Sequence, residues 1–415
     1  MLAETLDILR CPFCGGRLGV VDTLFHRRNG SEIVDAILGC HCCVFPVVAG
    51  IPVIHLDPSA VTARRHLEAG RPDLAMRAMI ALEDEAAAAR FETVVAASGA
   101  TYRDVVDALG SGFEGGYFLY RFSDPTYVVA EAVVRAVAST VLAGGGRAID
   151  MCGGSGHVTR LLVGLSSPAP ILADLYFSKL WLARRFTAPA CEVVCCDGNA
   201  PLPFVTGAFR FAVCSDAFHY IWTKRLLASE LMRVVRSSDG GRAVAVTHTH
   251  NANQWNASGG MPLPPDAYRD LFDEMGARIF SERGLLDDIV RGGPVDLGRL
   301  DDPGVLDADP ALTIVAARGV DVFRTHALES LRTARGEFRL NPMYAIEPDG
   351  DRLRLRLRFP SADYEDEYGA ARRYLAAELW LDRTVADTLP LARLPDHLID
   401  LARHRVILDL PVGYY

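Results

Sequence analysis

The stretch Ala148-Ile149-Asp150-Met151-Cys152-Gly153-Gly154-Ser155-Gly156-His157 passes from an apolar run carrying one acid into three glycines within four residues. It reads as a strand, a tight turn and then a helix over 158–163, the architecture that cradles a nucleotide-like cofactor. Gly153, Gly154 and Gly156 let the backbone come close to a ligand, because glycine has no Cβ and accepts positive φ. Amides at the start of the next helix point at whatever lies there. A glycine turn alone fits several nucleotide folds, so its meaning depends on how the following strands end.

The next apolar run, 169–174, ends on Asp174-Leu175, 24 residues after Asp150. An acid at that place can accept the hydrogens of both ribose hydroxyls of a nucleoside cofactor. A helix over 178–186 precedes a third strand, Glu192–Cys196, which ends in Asp197-Gly198-Asn199-Ala200-Pro201-Leu202-Pro203-Phe204. A fourth, Phe209–Cys214, ends in Ser215-Asp216-Ala217-Phe218-His219, and a fifth, Arg242–Val246, in Thr247-His248-Thr249-His250. Strand–helix alternation at this spacing predicts a doubly wound, parallel α/β sheet whose ligands gather at the carboxyl ends of its strands.

From Ala148 to Tyr220 the chain resembles the class I S-adenosylmethionine-dependent methyltransferases. The likeness rests on the acidic-glycine turn, the Asp after the second strand and the Asp-x-x-x-x-Leu-Pro-Phe segment after the third. It implies S-adenosylmethionine as cofactor, with Gly153, Gly154 and Gly156 beside its methionine moiety and Asp150 orienting the turn. It further implies Asp174 and Leu175 at the ribose, Asp197 and Gly198 at the adenine, and Ser215 lining the pocket. Cys152 departs from the family, which usually has glycine there. Arg210 stands where an Asp commonly begins the fourth strand.

Methyl transfer from a sulfonium is an in-line displacement, so the protein mainly has to hold nucleophile, carbon and sulfur collinear. A base is needed only where the acceptor must lose a proton. The candidates are Asp216, His219, His248 and His250, all at strand ends. His219 also reads as pocket lining. His248 and His250 flank Thr249 and would point the same way on an extended segment. With Asp216 they are also the donor set of an open metal site.

At 415 residues the chain exceeds the ~250–300 residues at which single cores stop growing, so several domains are expected. Five of its ten cysteines fall between Cys11 and Cys43. Cys11-x-x-Cys14 and Cys40-x-x-Cys43 are paired knuckles that can converge on one structural, tetrahedral Zn²⁺. Cys42 is a surplus thiol; either it or Cys43 can be the fourth ligand, and the x-x spacing favours Cys43. The following Val44-Phe45-Pro46-Val47-Val48-Ala49-Gly50-Ile51-Pro52-Val53 makes residues 1–57 resemble the zinc ribbons that act as activator subunits of methyltransferases.

Residues 58–145 read as a helical cap or lid. Its aromatic, glycine-rich run 113–125 holds Tyr117 and Arg121, either core filler or a lid on the cofactor side with Arg121 meeting a carboxylate. Residues 146–258 form the cofactor-binding core. Residues 259–415 are expected to be helical and loop-like to about 325 and then α+β, shaping an acceptor pocket or a homodimer interface.

The net charge of −9 argues against a nucleic-acid backbone as main partner. No apolar run reaches the ~20 residues that span a bilayer. Without a secretory h-region a cytoplasmic address is expected. The leading expectation is a methyltransferase acting on a small-molecule acceptor in specialised metabolism. The alternatives are an rRNA or tRNA base methyltransferase and a non-catalytic, zinc-binding partner protein.

Overall fold

The computed structural model describes residues 1–82, 84–110, 115–236, 240–256, 258–328 and 332–415. Residues 113 and 114, which begin the aromatic, glycine-rich run, lie outside the described residues. At the centre is a sheet of β1 (Ala148–Met151), β2 (Ile171–Asp174), β3 (Glu192–Cys195), β4 (Phe211–Ser215), β5 (Arg242–His250), β6 (Ala277–Ser281) and β7 (Ala311–Arg318). Their spatial order is β6-β7-β5-β4-β1-β2-β3. Pairing is parallel from β3 across to β5, and β7 runs antiparallel to both β5 and β6.

The strands β1, β2 and β4 are buried at every position. Strands covered on both faces need no polar side, which is why they appear in the sequence as short, nearly unbroken apolar runs. The doubly wound α/β expectation therefore matches the sheet.

Two expectations are corrected. The segment 260–325 was expected to be helix and loop, yet it supplies β6 and β7, so the sheet extends past the boundary drawn at 258. Short apolar runs such as Leu312-Thr313-Ile314-Val315 carry no period that separates a buried strand from a buried helix. The cap drawn over 58–145 also ends too late. The helix Pro125–Val141 has twelve of its 17 residues buried, so it is a covering layer of the sheet rather than a lid. Its start is set locally, by Pro125 in the first turn and by the Asp124 carboxylate accepting the Tyr127 N–H at 2.6 Å.

The N-terminal ribbon pairs Glu32–Gly39 with Val44–Val48. It abuts the end of the β3 edge, with Ile54 N–H donating to Cys195 O (2.7 Å), and the loop that follows β3, with Arg10 N–H donating to Pro203 O (2.9 Å) and Val205 N–H to Ile8 O (2.9 Å). An edge strand left bare would offer unpaired groups to other chains, and here the ribbon occupies it. Beyond the sheet, Tyr344–Asp349, Arg352–Leu357 and Glu378–Asp382 form one small antiparallel sheet, and Thr333–Leu340 pairs with Leu391–Arg393 and Ile407–Leu410 in another. In the first, Arg354 is paired with Glu347 and Glu378 on a solvated, ion-paired face. Among the described residues, no helix is long and apolar enough to cross a membrane.

Tyr414 binds this C-terminal region to the rest. Fully buried, it stacks on Tyr102 at 4.5 Å between ring centroids, donates to Phe118 O (2.7 Å) and lies 2.7 Å from His157 Nε2. Tyr414→Ala should cost about 3–5 kcal/mol, as for other large-to-small core changes, read as a lowered denaturant midpoint. A loss below about 1 kcal/mol would mean that the tail is not part of the core.

Candidate functional site

The glycine turn after β1 is built on positive-φ backbone: Cys152 at +61°, Gly154 at +56° and Gly156 at +80°. Cys152 is thus a non-glycine residue held in the left-handed region, a conformation that persists where the surroundings enforce it. Its N–H donates to Ala173 O at 2.7 Å. Gly153 is required for a different reason. A Cβ there would sit 2.5 Å from both Asp150 Oδ2 and Leu172 Cδ1.

Asp150 lies beneath the turn, wholly buried, and accepts the Thr159 hydroxyl at 2.6 Å. Burial raises its carboxyl to about 7.

Asp174 closes the turn from the end of β2. Its two oxygens accept Gly154 N–H and Tyr176 N–H, each at 2.9 Å, and a carboxylate oxygen can accept more than one bond. Leu175, half-buried, follows it and accepts the Cys195 thiol at 3.2 Å. Asp197, at the end of β3, accepts the Asn199 N–H on Oδ1 at 2.8 Å. A Cβ on Gly198 would come 3.2 Å from Cys152 Sγ and 3.1 Å from Ile221. The ends of β1, β2 and β3 therefore meet at one place. Ser215 stands apart, buried at the end of β4 and accepting the Thr247 hydroxyl at 2.9 Å.

Across the crevice, beyond β4 and β5, is a second group. Asp216 and His248 are both non-glycine residues at positive φ, +53° and +49°. The register of β5 against β7 shifts between Val246 and Thr249, a bulge that re-aims His248. Asp216 Oδ2 accepts the Tyr117 hydroxyl (2.5 Å) and Arg121 (2.9 Å), while Oδ1 lies 3.9 Å from His248 Nε2. Arg121 also donates to Asp124 at 3.1 Å.

His248 is held from behind by Glu282, which accepts its backbone N–H at 2.7 Å and lies 2.6 Å from Nδ1. Thr313 donates to the same carboxylate at 3.0 Å. His219 and His250 stack at 3.6 Å and 14°.

These groups divide sharply in charge. Burial pulls the His248 imidazolium down, but the Glu282 and Asp216 carboxylates outweigh it and lift the ring to about 9. Burial, reinforced by His250, drops His219 to about 2, and burial with His248 drops His250 to about 4. Burial also opposes ionisation of Asp216, yet His248 and Arg121 prevail and lower it.

Arg121 meets a carboxylate, as one of the two readings of this run has it, but that carboxylate is Asp216, which Tyr117 also binds, across the crevice from the glycine turn. Phe118, between them in sequence, covers the turn instead, 3.4 Å from where a Cβ of Gly154 would lie. Phe118 and Glu282 are the site residues that the sequence reading missed. The helical aromatic run could have suggested Phe118; nothing local marks Glu282, because β6 itself was unread.

In the ribbon the sulfurs of Cys11, Cys14, Cys40 and Cys42 all lie within 4.8 Å of one another. Neighbouring pairs are 3.6–3.7 Å apart. A tetrahedral Zn²⁺ with bonds of ~2.3 Å needs sulfurs ~3.8 Å apart, so the donor set fits. The group of four is completed by Cys42, one of the two thiols the sequence leaves open, whereas the spacing favours Cys43. Cys43 precedes the strand Val44–Val48; its N–H donates to Cys40 Sγ at 3.3 Å and its sulfur lies 3.3 Å from that of Cys42.

No protein-family model matches the chain. No curated protein matches it either. Among solved structures the chain is similar to an S-adenosylmethionine-dependent methyltransferase from Aquifex aeolicus, at 14% identity over 49% of this chain and 97% of the other, TM-score 0.32. It is similar to another from Mesorhizobium loti, at 16% identity over 42% and 91%, TM-score 0.32, and to the [4+2]-cyclase SpnF, at 15% over 46% and 80%, TM-score 0.34. The sheet is doubly wound and Rossmann-like, parallel from β3 to β5; likenesses at these values carry no argument about family or activity.

Two outcomes follow. Gly153→Ala should destabilise the chain by about 1–3 kcal/mol through overpacking, seen as a lower midpoint in urea; an unchanged midpoint would show that the turn is loose. Cys42→Ala should abolish stoichiometric zinc in the purified protein, measured by a colorimetric chelator, while Cys43→Ala keeps it. The reverse pattern would restore Cys43 as the ligand.

Proposed function

We propose that this chain is an S-adenosylmethionine-dependent methyltransferase acting on a small-molecule acceptor, with a structural zinc ribbon. One observation carries the reading: Asp174 and Asp197 end β2 and β3 around a glycine turn that Cys152 and Gly198 narrow to a close approach. A nucleoside laid there has a carboxylate for its ribose and another for its base. Gly154 faces the methionine part with Phe118 as cover, while Gly153 and Gly156 let the turn pack closely on Asp150, Leu172 and Ala183.

When bound, the cofactor supplies an electrophilic methyl group. The chain's task is to hold the acceptor in line with it. Asp216, His219, His248 and His250 are assigned to that task, because they lie at the ends of the strands on the other side of the crevice. Tyr117 and Arg121 serve it by fixing Asp216. His219 and His250 are neutral at pH 7, as a group that accepts a proton or a hydrogen bond must be.

The acidic balance of the chain and the ion-paired arginines of its C-terminal sheet favour a small acceptor over RNA. RNA binding would need a basic surface and would weaken steeply with salt.

Calorimetry with S-adenosylhomocysteine on the full chain tests the cofactor assignment. Saturable binding is expected, and Asp174→Ala should weaken it by about tenfold to a hundredfold, the loss of ~1.5–3 kcal/mol of charge-assisted hydrogen bonding. Absence of binding, or an Asp174→Ala variant that is folded by circular dichroism and binds as the wild type does, would overturn the proposal.

A further inference from the structure

We infer that Asp216, His248 and His250 form a second metal site, open on one side, that takes a divalent transition ion and presents it to an oxygen-chelating acceptor. One ligand atom from each of the three residues lies within 4.8 Å of the others. Metal–nitrogen and metal–oxygen bonds of ~2.1 Å put ligand atoms ~3–4 Å apart, and Asp216 Oδ1 is already 3.9 Å from His248 Nε2. Two imidazoles and one carboxylate favour iron, manganese, cobalt or zinc over magnesium or calcium.

The surroundings are those of a ligand set rather than of loose side chains. His248 Nδ1 is engaged by Glu282, which leaves Nε2 to face Asp216. A carboxylate behind the imidazole orients a metal-ligating histidine in this way. Tyr117 and Arg121 both bind Oδ2 of Asp216 and so direct Oδ1 the other way. Two of the three ligands sit on positive-φ backbone that costs energy to maintain.

An independent observation points to a ligand at this place. The His219 side chain is 0% exposed, is stacked on His250, and neither ring nitrogen has a hydrogen-bond partner among the described residues. A buried imidazole without partners costs stability unless something bonds to it. A molecule held in the open positions of the ion would do so.

The site deepens the methyl-transfer reading and rests on it only for its purpose. An acceptor hydroxyl coordinated there loses its proton to solvent. Its oxygen then forms the new bond to the methyl carbon as the carbon–sulfur bond breaks and the sulfonium leaves as a neutral thioether. Adjacent oxygens, as in a vicinal diol, a catechol or a hydroxy-ketone, would fill two open positions together.

The test is Co²⁺ titration of the full chain after dialysis against a chelator. About two equivalents should bind: one with the intense thiolate charge-transfer bands of a sulfur site, one with only the weak visible bands of a nitrogen–oxygen site. The second class should vanish in His248→Ala and in His250→Ala, and its affinity should fall about tenfold to a hundredfold in Glu282→Gln. The thiolate class should remain in all three and shows that the variants are folded. A wild type with only the thiolate class, or variants that keep the second class at full affinity, would overturn the inference and leave His248 as a buried ion pair. Cobalt uptake without S-adenosylhomocysteine binding would instead refute the methyl-transfer reading and leave the metal site standing.

Discussion

The chain leaves β1 to build outward through β2 and β3, then returns to lay β4 on the other side of β1. That reversal of direction parts the connecting loops at the carboxyl ends and opens a crevice between them. The rest of the molecule is arranged around it. The glycine turn and the acids of β2 and β3 line one bank, and the loops of β4 and β5 line the other. The layers that cover the sheet reach the crevice too, since the helix Gly115–Tyr120 lays Phe118 on the first bank and Tyr117 on the second.

Charge on the second bank is concentrated on Asp216. Buried carboxylates ionise only when cations or donors offset the loss of water. Here Tyr117, Arg121 and His248 do so from three elements. Removing any one partner would leave charge uncompensated, so this cluster couples the helical segment, β4 and β5 more tightly than apolar contact alone. The three histidines show how position decides protonation when no ion is bound: the two carboxylates beside His248 raise its ring, a proton that a bound ion would displace, whereas burial lowers His219 and His250.

Much of the first bank was legible because it is local. Strand, turn and acid follow one another within a few residues, and a glycine beside an apolar run has few physical readings. The cysteine pairs were legible for the same reason, although spacing alone favoured Cys43. The grouping of Cys42 with Cys11, Cys14 and Cys40 depends on how the second knuckle folds against the first, which spacing does not record. The strands β6 and β7 escaped because a short apolar run acquires its conformation only from the neighbour it pairs with. Glu282 was lost with β6.

By itself, the sequence determined the parallel sheet, the glycine turn with Asp174 and Asp197, and the cysteine ribbon, since each depends on residue type and near spacing. Only the tertiary structure decided that Tyr117 and Arg121 belong to Asp216, that Glu282 stands behind His248, and that His219 lies against His250. These are encounters between residues up to about a hundred positions apart, with Tyr117 to Asp216 spanning 99. No local period or motif records them, because only packing of the two banks brings the groups into reach.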